Sequence, residues 1–149
     1  MPSKQVKEIL DHVRSVHQKL KKVCHQLGSQ ETDPRMKLLF EYIERHEEAF
    51  NTSVRRFEKD AGGHGLLETW LQFTSDEFID EDFKELELTS EMSAEEIVEN
   101  VLAFDTKLVA IYRDLADSTS SSQLKELFND LVQFEEDKER QYAKMMQDW

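Results

Sequence analysis

The chain has 149 residues, of which 32 are acidic and 19 are basic, so its formal net charge at pH 7 is −13. This length suits one domain, residues 1–149, with a single sizeable core. The negative charge argues against a nucleic-acid-binding protein, which needs a basic surface, and against one that binds anionic membranes. The sequence has one cysteine, Cys24, and no signal-peptide pattern or long apolar run. We therefore expect a cytoplasmic protein without an intrachain disulfide.

Only four glycines and two prolines interrupt the chain, which favours long helices. Helix 1 is predicted over about 3–27, with Gly28 as its stop, and helix 2 over about 33–60, beginning at Asp33-Pro34. The expected inward stripe of helix 1 comprises Val6, Leu10, Val13, His17, Leu20, Cys24 and Leu27. That of helix 2 comprises Met36, Leu39, Ile43, His46, Phe50 and Phe57. Such spacings predict amphipathic helices.

The segment of about 61–92 separates the first helix pair from the second. Within it, "GLLETWLQF" predicts a short helix, and Thr74 and Glu77 have the spacing of a capping box that would start another. Aromatic side chains in this segment need a surface to cover, namely Trp70, Phe73, Phe78 and Phe83. A link of this length can cross the whole bundle, so that helix 3 runs parallel to helix 2. The alternative is a plain up-down bundle with an acidic loop.

Helix 3 is predicted over about 94–117, after a capping box from Ser93 to Glu96, and helix 4 over about 121–147, where Ser120 and Gln123 have the same spacing. The stripe of helix 3 comprises Ile97, Val101, Asp105, Leu108, Tyr112 and Leu115. That of helix 4 comprises Leu124, Leu127, Leu131, Glu135, Lys138, Tyr142 and Met145. We thus expect an all-α fold, a four-helix bundle with a long crossover that contains short helices.

Each of the four stripes is interrupted near its middle by an ionisable residue: His17, His46, Asp105 and Glu135. Lys138 lies one turn after Glu135 and belongs to the same stripe. Since the midpoints of antiparallel helices lie at one level, these five side chains are predicted to form one polar layer. A buried charge without a partner costs several kcal/mol, so the groups are more stable together than scattered.

The spacing within the stripes resembles that of rubrerythrin and ferritin-like di-iron proteins. That family has a Glu seven residues before an aromatic residue on helices 1 and 3, and Glu-x-x-His on helices 2 and 4. Here "DTKLVAIYRDLA" places Asp105 seven residues before Tyr112, and "HQKLKKVCHQL" places His17 seven before Cys24. "FNDLVQFEEDKERQYAKMM" has Lys138 at the histidine position of helix 4, and "LFEYIERHEEAF" has His46 at the glutamate position of helix 2, with Ala49 at the histidine position. The resemblance implies a ferritin-like bundle with an altered di-iron site.

Three interpretations of the layer follow. Lys138 neutralises Glu135 and Asp105, which makes the layer a structural ion-pair network in a non-catalytic protein without a cofactor. Alternatively, His17, His46, Asp105 and Glu135 bind one divalent ion (iron, manganese or zinc) in a protein of oxidative stress or metal handling, as the resemblance implies. The third interpretation is a register shift of one residue that would expose Lys138 and bury Phe134.

The charge distribution bears on partners. Residues 1–30 carry six basic and two acidic side chains, whereas residues 76–99 carry eleven acidic ones and one lysine. The chain also ends in the apolar residues Met145, Met146 and Trp149. From this polarity and this apolar edge we expect a homodimer, with another protein as a possible further partner.

Overall fold

The structure, a computed structural model, describes residues 3–61, 65–72 and 86–149. Within these ranges it has four long helices: α1 (Val6–Gln30), α2 (Pro34–Ala61), α3 (Ala94–Ser118) and α4 (Ser122–Gln147). Two three-residue strands, β1 (Ser3–Gln5) and β2 (Trp70–Gln72), pair with each other. The all-α class and the four predicted helices are confirmed. None of the described helices is both long and apolar enough to cross a membrane.

The apolar core consists of two clusters at opposite ends of the bundle. One joins the beginnings of α1 and α4 to the later parts of α2 and α3; it includes Leu10, Val13, Phe50, Val54, Leu108, Tyr112, Leu124 and Phe128. The other joins the ends of α1 and α4 to the beginnings of α2 and α3; it includes Leu20, Cys24, Leu39, Ile43, Ile97, Val101 and Tyr142. Helices α2 and α3 therefore run in the same direction, with the end of α2 and the beginning of α3 at opposite ends of the bundle.

The beginning of the chain differs from the prediction. Residues Ser3–Gln5 are not the first turn of α1 but pair antiparallel with Trp70–Gln72, and Lys4 lies opposite Leu71. The prediction of a short helix for "GLLETWLQF" is wrong for residues 65–72, because a turn there leads into β2. Successive side chains of a strand point to opposite sides, so Leu71 is buried whereas Trp70 is 62% exposed. The second predicted helix start and Phe73, Phe78 and Phe83 lie outside the described residues.

Gly28 does not end α1, which continues to Gln30. The residue is buried, and a Cβ atom at this position would lie 3.2 Å from the Cβ atom of Phe40 on α2. Glycine therefore allows α1 and α2 to approach closely here, and the helix stops two residues later, where Glu31 is extended.

Side-chain caps fix the beginnings of the second helix pair. The predicted capping box of α3 is confirmed, because the amide of Glu96 donates to Ser93 Oγ over 3.2 Å and the amide of Ser93 donates to Glu96 Oε1 over 3.3 Å. At α4 the cap is Ser121 rather than Ser120, and its Oγ accepts from the amide of Leu124 over 3.3 Å. These caps fix where each helix begins and thereby which residues face inward at its middle.

Candidate functional site

The structure brings four of the five predicted layer residues together. His17, Asp105, Glu135 and Lys138 come from α1, α3 and α4, and each is at most 1% exposed. They lie between the two apolar clusters, as the shared level of the helix midpoints predicts. The register shift that would have exposed Lys138 does not occur.

His46 is the exception, because it is only half-buried and its neighbour Glu47 is 1% exposed. The stripe assigned to α2 is therefore wrong by one residue at this point. The observed inward face of α2 comprises Leu39, Phe40, Ile43, Glu47, Phe50, Asn51, Val54 and Ala61. We call His17, Glu47, Asp105, Glu135 and Lys138 the charged layer.

A signal for Glu47 was present in the sequence. The predicted stripe jumped seven residues from Phe50 to Phe57 and left out Val54. A stripe through Ile43, Glu47, Phe50 and Val54 keeps steps of four, three and four and needs no such gap. Accepting it requires a buried carboxylate, which is rare unless the carboxylate has a partner.

The ammonium group of Lys138 lies among three carboxyl groups. Its Nζ is 2.9 Å from Glu47 Oε1, 3.0 and 2.9 Å from the two carboxyl oxygens of Asp105, and 3.5 Å from Glu135 Oε2. Glu47 belongs to α2, Asp105 to α3, and Glu135 to the turn of α4 that precedes Lys138. The ammonium therefore joins α2, α3 and α4 at the centre of the bundle. The three donors of an ammonium group suit three such acceptors.

The imidazole of His17 closes the layer on the side of α1. Its Nδ1 makes a short contact with Glu47 Oε2, and its Nε2 lies 3.4 Å from Glu135 Oε1. The ring stacks on Phe50 with ring centroids 3.8 Å apart and an interplanar angle of 19°. Because Phe50 holds one face of the ring, the two nitrogens point along the layer towards the two glutamates.

The charged layer contains three carboxyl groups and one ammonium group. Three ionised carboxylates beside that ammonium would leave an excess of negative charge in the bundle interior, which is strongly unfavourable. A proton on Asp105 or Glu135 reduces this excess.

The pKa values of the layer follow this pattern. Burial, with the nearby charge of Glu135, raises the pKa of Asp105 well above its ordinary value, and burial also raises the pKa of Glu135. Burial would raise the pKa of Glu47 as well, but Lys138 and His17 outweigh it and lower that pKa to about 2. Burial opposes a charged Lys138, yet the carboxylates of Asp105, Glu135 and Glu47 raise its pKa well above the ordinary value. Lys138 and Glu47 therefore form the ion pair of the layer, and burial favours a proton on Asp105 and on Glu135.

Aromatic residues separate the charged layer from solvent on the side of α2. The ring of His46 lies 4.5 Å from that of Tyr42 and 5.3 Å from that of Tyr142, measured between centroids. Burial and the charge of Lys138 lower the pKa of His46. His46 thus belongs to the cover of the layer. The hydroxyl groups of Tyr112 and Tyr142 are buried and make no hydrogen bond to a described residue.

We tested whether the layer suits a metal ion such as the family resemblance implies. Among residues 3–61, 65–72 and 86–149, no group of three or more His, Cys, Asp or Glu side chains is arranged to hold one. The shared space is taken by Lys138 Nζ, whose contacts of 2.9 Å or more are those of an ammonium group. Metal–oxygen bonds of about 2.0–2.2 Å would require the carboxylates to converge further. The residues as they stand do not fit a metal ion.

No protein-family model, no curated protein and no solved structure matches this chain. The chemistry of the charged layer is therefore inferred from its geometry.

Proposed function

We propose that this chain is a non-catalytic protein of ferritin-like architecture. In this proposal the charged layer is a structural ion-pair network at the position of a di-iron site, and the outer surface serves self-association or the binding of another protein. The observation that carries the proposal is the position of Lys138 Nζ within 3.5 Å of three carboxyl groups. A cytoplasmic location is part of the proposal, and the buried free thiol of Cys24 is compatible with it.

Two features support the ferritin-like part of the proposal. The parallel arrangement of α2 and α3, with a connection along the bundle, is the connectivity of such bundles. The charged layer also receives one or more side chains from the middle of every helix. In the spacing of the family motif, Glu47 takes the glutamate position of helix 2, and Phe50 and Lys138 take the two histidine positions.

Lys138, at the histidine position of helix 4, explains why the charged layer needs no metal ion. Two hard cations in a di-iron site offset the charge of several carboxylates. Here the tethered ammonium of Lys138 offsets carboxylate charge, burial favours protons on Asp105 and Glu135, and Phe50 fills the other position by stacking on His17. A protein with this layer keeps the bundle together without depending on metal supply.

Elemental analysis of purified protein tests this proposal directly. We expect substoichiometric iron, manganese and zinc, unchanged in the variant His17→Ala combined with Glu47→Ala. One metal ion per chain that is lost in this variant would reject the proposal and favour a metal-handling function. The analysis needs protein purified without chelator, from cells supplied in turn with each metal.

Self-association rests on separate observations. Leu38 on α2 is 60% exposed and Trp70 is 62% exposed, so both apolar side chains are available for contact with another chain. At the end of α4, Met145, Met146 and Trp149 are only half-buried. We expect a homodimer, and light scattering across micromolar concentrations tests it. A monomer mass throughout would contradict this part and leave the ion-pair network unaffected.

A further inference from the structure

An open cleft of about 540 Å³ lies at one end of the bundle, between the last turn of α2 and the first turns of α4. Part of its lining is apolar and comes from Phe57 on α2, Leu127 on α4 and Leu66 in the turn before β2. Leu127 belongs to the core cluster at this end, and Phe57 and Leu66 are half-buried and pack against that cluster. The cleft therefore keeps apolar surface in contact with water.

Three exposed carboxylates line the same cleft, namely Asp60, Glu126 and Asp130. None of them forms an ion pair with another described residue, and none of the described residues that line the cleft is cationic. Glu126 and Asp130 are four residues apart on α4, a spacing at which like charges on one helix face repel each other. A cation held in the cleft relieves this repulsion.

We propose that this cleft is the docking site for a basic amphipathic segment of another protein. In such a segment, an arginine or lysine pairs with the carboxylates of the cleft, and an apolar side chain one helical turn away covers its apolar lining. The inference rests on the proposed function, because it specifies the surface and the partner chemistry for the binding of another protein.

The combination of the two linings favours a chain segment over a small cation. Exposed ion pairs contribute little by themselves, whereas covering Phe57, Leu66 and Leu127 removes apolar surface from water. Long basic side chains suit both linings, because their methylene groups lie on apolar surface while their charged ends reach the carboxylates. Residues 123–130 extend over about 10 Å of the axis of α4, which equals about two turns of a partner helix.

The test titrates the unmodified chain with a synthetic helical peptide of about 15 residues that carries leucine and arginine one turn apart. One matched peptide has serine in place of leucine, and another has glutamine in place of arginine. Fluorescence anisotropy of the labelled peptides gives each Kd. We expect the leucine–arginine peptide to bind at least about tenfold more tightly than either matched peptide, because each of those satisfies only one of the two linings.

A variant of the cleft locates the binding on the chain. Asp60→Asn, Glu126→Gln and Asp130→Asn together remove its charge at exposed positions, so the fold and the thermal midpoint should be retained. We expect binding of the leucine–arginine peptide to weaken at least about tenfold. Leu66→Ser, in the turn before β2, tests the apolar lining separately and should also weaken it.

The control variant removes three exposed carboxylates of α3 by Glu99→Gln, Asp114→Asn and Asp117→Asn. It changes the net charge by the same amount, and the peptide should bind it as it binds the unmodified chain. This control is necessary because the formal net charge of −13 attracts any cationic peptide at long range. Equal weakening in the two triple variants would overturn the proposal, as would tight binding of the peptide that lacks leucine.

Two further outcomes are decisive. If light scattering shows that the cleft variant turns a dimer of the unmodified chain into a monomer, a second copy occupies the cleft and the proposal is wrong. Failure of every peptide to bind the unmodified chain would also overturn it. Metal content measured on the same samples keeps the proposed function separate. One ion per chain would reject that function, whereas a metal-free chain that binds no peptide rejects only the present inference.

Discussion

Among the described residues, two ion pairs between helices have similar lengths but differ in their exposure to solvent. On the outer face of α1 and α2, Lys21 Nζ lies 2.7 Å from Glu48 Oε2, and both side chains are partly exposed, at 31% and 43%. In the charged layer, Lys138 Nζ lies 2.9 Å from Glu47 Oε1, and the exposures are 1% and 0%. The distances are nearly equal, so distance does not determine what each pair contributes. Exposed pairs contribute about 0–1 kcal/mol, whereas breaking a buried pair leaves a charge that water cannot reach.

The largest expected effect is that of removing the buried ammonium. Lys138→Met keeps most of the volume but leaves Glu47, Asp105 and Glu135 without their cation, so we expect a loss of about 3–5 kcal/mol in the free energy of unfolding. Lys21→Met is the matched control at the surface and should cost less than about 1 kcal/mol. Urea unfolding of both variants provides the measurement. Equal losses in the two variants would mean that burial does not determine how much each ion pair contributes to the free energy of unfolding.

The next largest effect is expected at Glu47 of α2, and the adjacent residue Glu48 provides the comparison. Glu47→Gln removes the charge that pairs with Lys138 and His17 but keeps the shape, and we expect a loss of about 2 kcal/mol at pH 7. Glu48→Gln, one residue later, changes a partly exposed carboxylate that pairs with Lys21 and should cost less than about 1 kcal/mol. Because the pKa of Glu47 is lowered to about 2, its contribution is present above the ordinary carboxyl range and is lost as the pH falls through about 2. The reverse order of the two losses would place Glu48, rather than Glu47, in the interior.

That pair of residues also shows the limit of prediction from the sequence. The stripes of α3 and α4 were predicted correctly through Asp105, Glu135 and Lys138 because their apolar neighbours leave no other inward face. On α2 the run around His46 contains three glutamates, and local pattern favoured the less polar imidazole. What stabilises Glu47 in the interior is Lys138, which lies 91 positions later in the chain. The periodicity of α2 allows Glu47 on the inward face, but it cannot show the distant cation that makes burial of this carboxylate favourable.

The strands show the same limit for backbone structure. The composition of "GLLETWLQF" favours a helix, yet residues 70–72 are extended because they pair with residues 3–5, almost 70 positions earlier in the sequence. The common direction of α2 and α3, in contrast, was predicted from the length of the segment between them together with its aromatic residues, with an up-down bundle as the alternative. Properties set by chain length and by uninterrupted periodicity were therefore predictable, and those set by distant partners were not.

A smaller effect concerns the protons of the charged layer. The raised pKa of Asp105 means that the folded chain keeps a proton which the unfolded chain releases above the ordinary carboxyl range. Stability from this group is therefore complete at low pH and declines as the pH rises towards the raised pKa. Asp105→Asn removes this dependence, and the slope of unfolding free energy against pH between pH 5 and 9 should become flatter by up to about one proton, roughly tenfold in the unfolding constant per pH unit.

The matched control for that slope is Asp114→Asn, an exposed carboxylate on the same helix. It changes the net charge by the same amount, so a general charge effect would appear in both variants. Chemical denaturation at three pH values is sufficient for the comparison. An unchanged slope in Asp105→Asn would show that Asp105 is ionised in the folded chain, which would contradict the raised pKa of its carboxyl group.

The smallest effect is the coupling within the exposed pair, and salt distinguishes it from the buried one. A double-mutant cycle on Lys21 and Glu48 should give about 0.2–1 kcal/mol in dilute buffer. In about 1 M sodium chloride the Debye length falls to about 3 Å, so this coupling should largely disappear. The corresponding cycle on Lys138 and Glu47 should keep its value, because salt ions do not enter the bundle interior. If both couplings fell together, counterions would reach the layer, and its separation from solvent by Tyr42, His46 and Tyr142 would be incomplete.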